Sequence, residues 1–151
     1  MYDLIAVLLG MLVAVAFISI AVIVLIVISY WKIFEKAGED GWKALIPYYN
    51  SYILYKIGWE TKWFFVMLGI TVADMILFMS GVPALVGFSW VLTLANLGIM
   101  IPLSINLAKN FGKTGGFAAG LILLPLIFYP ILAFGSSQYV RNQTENPGAT
   151  F

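Results

Sequence analysis

The sequence predicts an all-α membrane protein with four transmembrane helices in an up-down bundle and an interfacial helical segment between the first two. Hydrophobic residues make up 62% of the chain and charged residues 10%, whereas a soluble domain carries about 25% charged residues. Four apolar runs are each about long enough to cross a hydrocarbon layer of roughly 30 Å. These runs are residues 4–30, 63–79, 82–107 and 117–134. We therefore expect one transmembrane domain over residues 1–139 and a polar tail over residues 140–151.

The distribution of cations predicts the orientation of the chain in the membrane. Lysines occur in residues 31–62 and in residues 108–116, and the only strong cation elsewhere is Arg141 in the tail. Short loops rich in lysine and arginine stay in the cytoplasm. The pattern predicts that both lysine-bearing loops are cytoplasmic and that the N- and C-termini are outside.

The first span is expected to continue beyond the apolar run. Its helix should reach Lys36 and stop at Gly38, because glycine is the usual residue just past a helix C-terminus. Asp40 is then placed to cap a short helix over residues 41–46, which Pro47 ends. A second short helix, capped by Asn50 or Ser51, should run to Gly58, and Thr61 should cap the second span.

The connector, residues 32–60, is the most distinctive part of the sequence. Its tyrosines at 48, 52 and 55 have the spacing of one helical face, and tryptophans flank them. Because such rings prefer the level of the lipid headgroups, we expect this segment to lie on the inner leaflet. It serves either as a membrane-anchored connection or as a docking surface. The candidate docking residues are Trp42, Pro47, Tyr48, Tyr49, Asn50 and Tyr52.

Short connections predict how the remaining spans pack. The turn at Ser80 and Gly81 makes the second and third spans antiparallel neighbours, and the loop of residues 110–115 does the same for the third and fourth. The fourth span contains Gly116 and Gly120, a spacing that lets two helix backbones approach closely. Pro125 and Pro130 should kink this span.

Asp74 is the ionisable side chain within a predicted span. Burying a carboxylate in the membrane costs a few kcal/mol, so Asp74 should face the bundle interior or a wet crevice. The antiparallel third span places Ser89 and Thr93 at a similar depth, with Asn96 deeper. The four residues either form a site for an ion or a proton, or they only link neighbouring helices by hydrogen bonds.

Three motifs carry a resemblance to a known family. They read KAGEDGWKALIPYYN at residues 36–50, AKNFGK at 108–113 and LPLIFYPILAFG at 124–135. Over roughly residues 31–139 the chain resembles a family of small prokaryotic multi-pass membrane proteins of unknown function. The resemblance implies the plasma membrane of a prokaryote but no activity. Some members are labelled "signal peptidase I". We reject that label, because the serines predicted to lie outside have no lysine within reach to activate them.

The composition also limits the function. The chain has no His and no Cys, and it offers no clustered carboxylates or nucleophile–base pair, so we expect no enzyme activity, catalytic residue, metal or cofactor. A net charge of +1 predicts no nucleic-acid partner. We expect a structural or docking module whose partners are the lipid bilayer and a second copy or another membrane protein. The alternative is a small ion channel or transporter that uses Asp74 and the kinked fourth span.

Overall fold

The computed structural model describes residues 2–141. All regular secondary structure in this part of the chain is helical. Three helices, α1, α3 and α4, are long and apolar enough to cross a membrane. Of the expected tail, residues 142–151 lie outside the described residues. The helices are α1 (Tyr2–Lys36), a 3-10 helix (Gly41–Leu45), α2 (Tyr49–Gly58), α3 (Thr61–Met79), α4 (Pro83–Asn110), α5 (Gly115–Leu123) and α6 (Pro125–Phe134).

The end of α1 is where the sequence placed it. The helix stops at Lys36, and Gly38 adopts a φ of +79°. The backbone N–H of Glu39 donates to the carbonyl of Phe34 at 2.8 Å, and that of Gly38 donates to Glu35 at 3.1 Å. This pair of bonds is the Schellman arrangement that satisfies the last carbonyls of a helix. A glycine at the left-handed position therefore ends α1 and turns the chain into the connector.

The short helices of the connector differ in detail from the prediction. The first is a 3-10 helix whose N-cap position is Asp40, although the Asp40 side chain makes no capping bond. The second, α2, begins at Tyr49, ahead of the caps expected at Asn50 or Ser51. Thr61 is the first residue of α3 rather than its cap. Backbone turns, rather than side-chain caps, set these starts.

The second and third spans form an antiparallel hairpin, as the short turn predicted. Gly81 has a φ of +66°, a conformation that glycine adopts without strain. Pro83 is the first residue of α4, where its missing N–H leaves no intrahelical bond unmade. The hairpin therefore follows from the local sequence of the turn.

The predicted fourth span is not one helix. At Leu124 the chain leaves the helical region, with a φ of −134° and a ψ of 57°, and α5 and α6 meet there. Pro125 has no N–H to continue the hydrogen bonds of α5, and its ring disfavours the helical conformation at Leu124. By contrast, α6 continues across Pro130 and α4 across Pro102. At about 1.5 Å per residue, α5 and α6 each span only about half of a 30 Å hydrocarbon layer.

The two halves fold back on each other. The rings of Phe117 and Phe128 lie 5.1 Å apart, although in a straight helix eleven residues would separate their backbones by about 16 Å. At the other end of α6, the Lys36 ammonium donates to the carbonyls of Leu132 at 2.8 Å and Gly135 at 2.7 Å. α5 therefore leads away from the end of α1, and α6 returns to it. We call residues 115–134 the re-entrant hairpin.

The segment after α6 returns to the connector and corrects the predicted topology. The backbone N–H of Val140 donates to the carbonyl of Asn110 at 2.7 Å, and the Tyr139 hydroxyl donates to the carbonyl of Ile57 at 2.9 Å. Residues 135–141 thus lie at the same end of the molecule as both lysine-bearing loops, not at the opposite end. We call this the lysine end, and the end with Ser80 and Gly81 the turn end. The reversal places all eight cations, including Arg141, at the lysine end.

The helices also do not form the expected four-helix up-down bundle. Residues 3–21 of α1 are exposed, and α1 packs against the 3-10 helix, α2 and α6 but not against α3 or α4. The shared core lies toward the lysine end, where Phe34, Ile53, Leu107 and Leu132 are each almost fully buried. Toward the turn end, α1 and the α3–α4 hairpin remain separate, because the re-entrant hairpin is too short to fill the space between them.

Candidate functional site

Three aromatic rings of the connector form one stack. Trp42 and Tyr49 lie 6.4 Å apart between ring centroids, and Tyr49 and Tyr52 lie 5.7 Å apart at an interplanar angle of 7°. Tyr52 in turn meets Phe64 of α3 edge to face at 5.5 Å. Trp42 and Tyr49 are exposed at the outer end of the stack. The stack therefore fixes two aromatic side chains on the surface against a rigid base.

Tyr48 does not share the helical face that its spacing predicted. It is 62% exposed, whereas Tyr55 is buried. Tyr48 precedes α2, with a φ of 64° and a ψ of −39°, and the N–H of Tyr49 donates to the carbonyl of Pro47 at 2.8 Å. This is a γ-turn with positive φ, a strained conformation for a tyrosine. Such strain costs about 1–3 kcal/mol and occurs most often at functional positions.

The exposed apolar side chains around this turn form one surface on the connector. We call it the aromatic surface. Its members are Trp42, Leu45, Ile46, Pro47, Tyr48 and Tyr49. Of the other candidate docking residues, Tyr52 lies below this surface, and Asn50 is half-buried, with its amide 3.5 Å from the carbonyl of Ala44. Asn50 and Tyr52 therefore support the surface from beneath.

The connector is anchored to the bundle by its opposite side. Ile53 and Ile57 of α2 are buried, and Gly58 packs against Leu103 of α4. The amide of Asn110 donates to the carbonyl of Ile57 at 2.8 Å. A Cβ at Gly41 would overlap the indole of Trp31, so packing against Trp31 requires a glycine at this position. These contacts hold the aromatic surface in one position.

Carboxylates pair with Lys32, Lys43 and Lys56 of the connector and with the adjacent Lys62. Glu39 is largely buried and pairs with Lys43 at 2.6 Å and with Lys56 at 2.7 Å. Lys32 pairs with Glu35, and Lys62 pairs with Glu60. Burial raises the pKa of Glu39, but the hydrogen bonds from Lys43 and Lys56 outweigh it and leave the pKa below its usual 4.5. The connector is therefore an ion-paired segment without excess positive charge.

The lowered pKa of Glu39 predicts the pH dependence of connector stability. A carboxyl group whose pKa is lower in the folded state stabilises the fold above its unfolded value of 4.5, and this stability is lost as pH falls through the lower folded value. We expect the unfolding temperature of the protein in micelles to decrease as the pH is lowered below 4.5. Glu39→Gln should lower the midpoint at neutral pH and weaken its dependence on acid. Glu60→Gln, which removes a carboxylate from a more exposed pair, is the matched control and should retain the acid dependence.

The polar side chains of α3 and α4 meet as the antiparallel register predicted. The Thr93 hydroxyl lies 3.2 Å from Asp74 Oδ2 and 3.2 Å from the carbonyl of Ser89. One turn deeper, the amide of Asn96 donates to the Thr71 hydroxyl at 3.2 Å. Two hydrogen-bonded contacts therefore link the helices. We call Thr71, Asp74, Ser89, Thr93 and Asn96 the polar cluster.

A cavity of 410 Å³ opens beside Asp74. It is lined by both polar and apolar groups, and all of them belong to α3 and α4. The lining residues are Thr71, Asp74, Met75, Phe78, Val86, Ser89, Trp90 and Thr93. Two acceptor oxygens of the polar cluster, Asp74 Oδ1 and Asn96 Oδ1, are buried without a protein donor among the described residues.

The polar cluster and the broken fourth segment are in different places. Among the described helices, α3 contacts only α2 and α4, so α5 and α6 do not pack against the helix that carries Asp74. From its spacing to Gly116, Gly120 was expected to let a second helix backbone approach closely, but Gly120 does not have this role. It accommodates the Phe128 ring, whereas Gly116 meets only the Thr114 hydroxyl at 3.8 Å. The structure therefore does not bring together the two parts of the expected transport path.

The sequence analysis missed the bonds from Lys36 to the end of α6, and the observed topology changes the location of two serines. Ser136 and Ser137 lie at the lysine end, not at the opposite end from the lysines. Ser137 Oγ makes no hydrogen bond with any described residue, and Lys36 Nζ donates to carbonyls. The rejected peptidase label therefore still lacks a serine hydrogen-bonded to a lysine. Arg141 was the one sequence signal for this topology, because it was the only lysine or arginine that the four-span prediction placed outside the cytoplasm.

Comparisons with known proteins give a family but no activity. Residues 42–142 match the model described as "Family of unknown function (DUF5684)". This range begins in the connector and covers α2 to α6, and it leaves α1 outside. No curated protein matches the chain, and no solved structure does. The expected membership of a family of unknown function is confirmed, whereas the prokaryotic origin stays a prediction.

Proposed function

The chain belongs to the DUF5684 family of unknown function, and from this premise we propose that it is an assembly module of the membrane that pairs with a second copy through the aromatic surface. Its long apolar helices fit an integral membrane protein. The proposal includes no catalytic step and no cofactor. The observation that carries it is the exposed group of rings at Trp42, Tyr48 and Tyr49, of which Trp42 and Tyr49 are stacked.

The chemistry of the aromatic surface favours a protein partner over anionic lipid. A lipid site of that kind collects unpaired lysines and arginines, whereas the lysines of the connector form ion pairs with Glu35, Glu39 and Glu60 or, for Lys36, bind carbonyls. Tryptophan and tyrosine held rigidly at a surface are the side chains that dominate protein–protein contacts. The turn with positive φ at Tyr48 is locally strained, and the ring of Tyr48 is exposed and accessible to a partner.

A second copy is the partner that fits this surface. Most symmetric pairs use the same patch on both subunits, so the patch must complement itself. A neutral group of stacked rings meets this condition, whereas a patch of one charge would repel its copy. The membrane also helps, because it confines both copies to one plane with their lysine ends on the same side.

The alternative of a channel or transporter receives less support. It needs Asp74 and the broken fourth segment to line one path, but the residues that line the cavity beside Asp74 all belong to α3 and α4. We also propose the plasma membrane of a prokaryote as the location. All eight cations lie at one end, and the positive-inside bias supports a cytoplasmic location for that end and for the C-terminal segment.

The proposal predicts the number of subunits in a bilayer. We expect single-molecule photobleaching of labelled protein in vesicles to show pairs. Trp42→Ala combined with Tyr48→Ala should lower the association constant roughly tenfold or more, because exposed aromatic anchors carry most of the contact energy. Phe88→Ala removes an exposed ring from the turn end and is the matched control. Single subunits at all densities, or an equal loss in Phe88→Ala, would reject pairing through this surface.

A further inference from the structure

The polar cluster has more hydrogen-bond acceptors than donors. The Thr93 hydroxyl has one hydrogen to share between Asp74 Oδ2 and the carbonyl of Ser89. Asp74 Oδ1 and Asn96 Oδ1 accept no bond from any described residue. Leaving such oxygens buried and unpaired is unfavourable, and more so for a charged group. The cluster is therefore complementary to a group that donates several hydrogen bonds.

The charge of the cluster indicates that the group donating these hydrogen bonds is a cation. Among the described residues, Asp74 has no lysine or arginine nearby, because all of these belong to the lysine end and Asp74 lies five residues from the far end of α3. A carboxylate about 7–8 Å below a membrane surface is costly unless it is paired with a positive charge. A cation that also donates hydrogen bonds satisfies both needs.

The shape of the cavity argues against a bare metal ion. A volume of 410 Å³ falls in the range of sites for small organic molecules. Four of its lining side chains, those of Met75, Phe78, Val86 and Trp90, are apolar or aromatic, whereas a hard metal ion prefers oxygen on all sides. The aromatic faces are favourable neighbours for an organic cation.

We propose that this cavity binds a primary ammonium group attached to an apolar chain or ring. The ammonium donates to Asp74 Oδ1 and its charge offsets the carboxylate, while the exposed side chains of Met75, Phe78 and Trp90 flank the apolar part. Such a group is found in small aromatic or aliphatic amines and in amine-bearing lipid headgroups. The position near the turn end makes the cavity accessible from the adjacent leaflet. This site is independent of the aromatic surface and of pairing.

Thermal unfolding of the purified protein in micelles tests the site with two probes of one shape. Phenethylammonium carries the charge, and 2-phenylethanol is its neutral counterpart. We expect the unfolding midpoint to rise with phenethylammonium concentration and to change much less with the alcohol. Asp74→Asn should weaken binding roughly tenfold or more, because it removes the charged acceptor. Asp3→Asn makes the same change at an exposed carboxylate in the first turn of α1 and should leave binding unchanged.

The outcomes separate the proposal from its alternatives. Equal stabilisation of the wild type by both probes, no response to either, or an unchanged ammonium response in Asp74→Asn would each overturn it. The first two readings use the wild type alone, so they hold even if Asp74→Asn folds poorly. Vesicles of phosphatidylcholine with and without phosphatidylethanolamine then identify the source. Competition by phosphatidylethanolamine assigns the site to a lipid headgroup, and its absence assigns the site to a free amine.

Discussion

Gly120→Ala is expected to destabilise the protein by about 1–3 kcal/mol, the usual cost of forcing extra volume into a packed site. A Cβ at this position would overlap the ring of Phe128, and that ring is held against Phe117 at 5.1 Å. Residues 120 and 128 touch only because α6 folds back on α5. In a continuous fourth helix they would be about 12 Å apart along the axis, and the substitution would have little effect.

A second substitution makes this test specific. Phe128→Leu shortens the side chain that the new methyl group meets, so the double variant should recover part of the loss, with a coupling energy of about 0.5–3 kcal/mol. Gly116→Ala is the matched control. Its Cβ would meet only the Thr114 hydroxyl at 3.8 Å, and replacing an unconstrained helical glycine with alanine is neutral or stabilising. Unfolding in micelles, followed by circular dichroism, measures all four variants. Equal behaviour of the two alanine variants, with no coupling to Phe128→Leu, would contradict the re-entrant hairpin.

Local signals in the sequence predicted much of the fold. The end of α1 follows from Gly38, and the turn between α3 and α4 follows from Gly81. The contact between Asp74 and Thr93 follows from the length of that turn, because an antiparallel hairpin fixes which residues share a depth. In each case a few neighbouring residues determine the conformation. Such features are accessible from one sequence without knowledge of the rest of the structure.

The fourth segment could not be predicted in the same way. Hydropathy reports that residues 117–134 are apolar, but a straight span and two half-length helices have the same composition. Proline does not decide between them either, because α4 and α6 continue across Pro102 and Pro130. The reversal at Pro125 depends on the fit of Phe128 beside Gly120 and on the bonds from Lys36 to the end of α6. These contacts join residues far apart in the sequence.

The connector shows that residue spacing alone does not determine where a helix begins. Helical spacing placed Tyr48 with Tyr52 and Tyr55, but this holds only if the helix begins before Tyr48. The γ-turn at Tyr48 starts α2 one residue later and directs this ring outward. The consequence for function is direct. The exposed rings that we assign to pairing are Trp42, Tyr48 and Tyr49, and Tyr55 is part of the core.

After α4 the chain forms the re-entrant hairpin and returns to the lysine end. Because the protein has no cysteine, single cysteines at Ser80, Thr114 and Ser136 report the side of each position through an impermeant thiol reagent. We predict that the cysteine at position 136 behaves like the one at position 114 and opposite to the one at position 80. By the positive-inside bias, only the cysteine at position 80 should react in intact cells. All three should react after the membrane is permeabilised. Reaction of Ser136 together with Ser80, and not with Thr114, would show a fourth helix that crosses the membrane and would contradict the account.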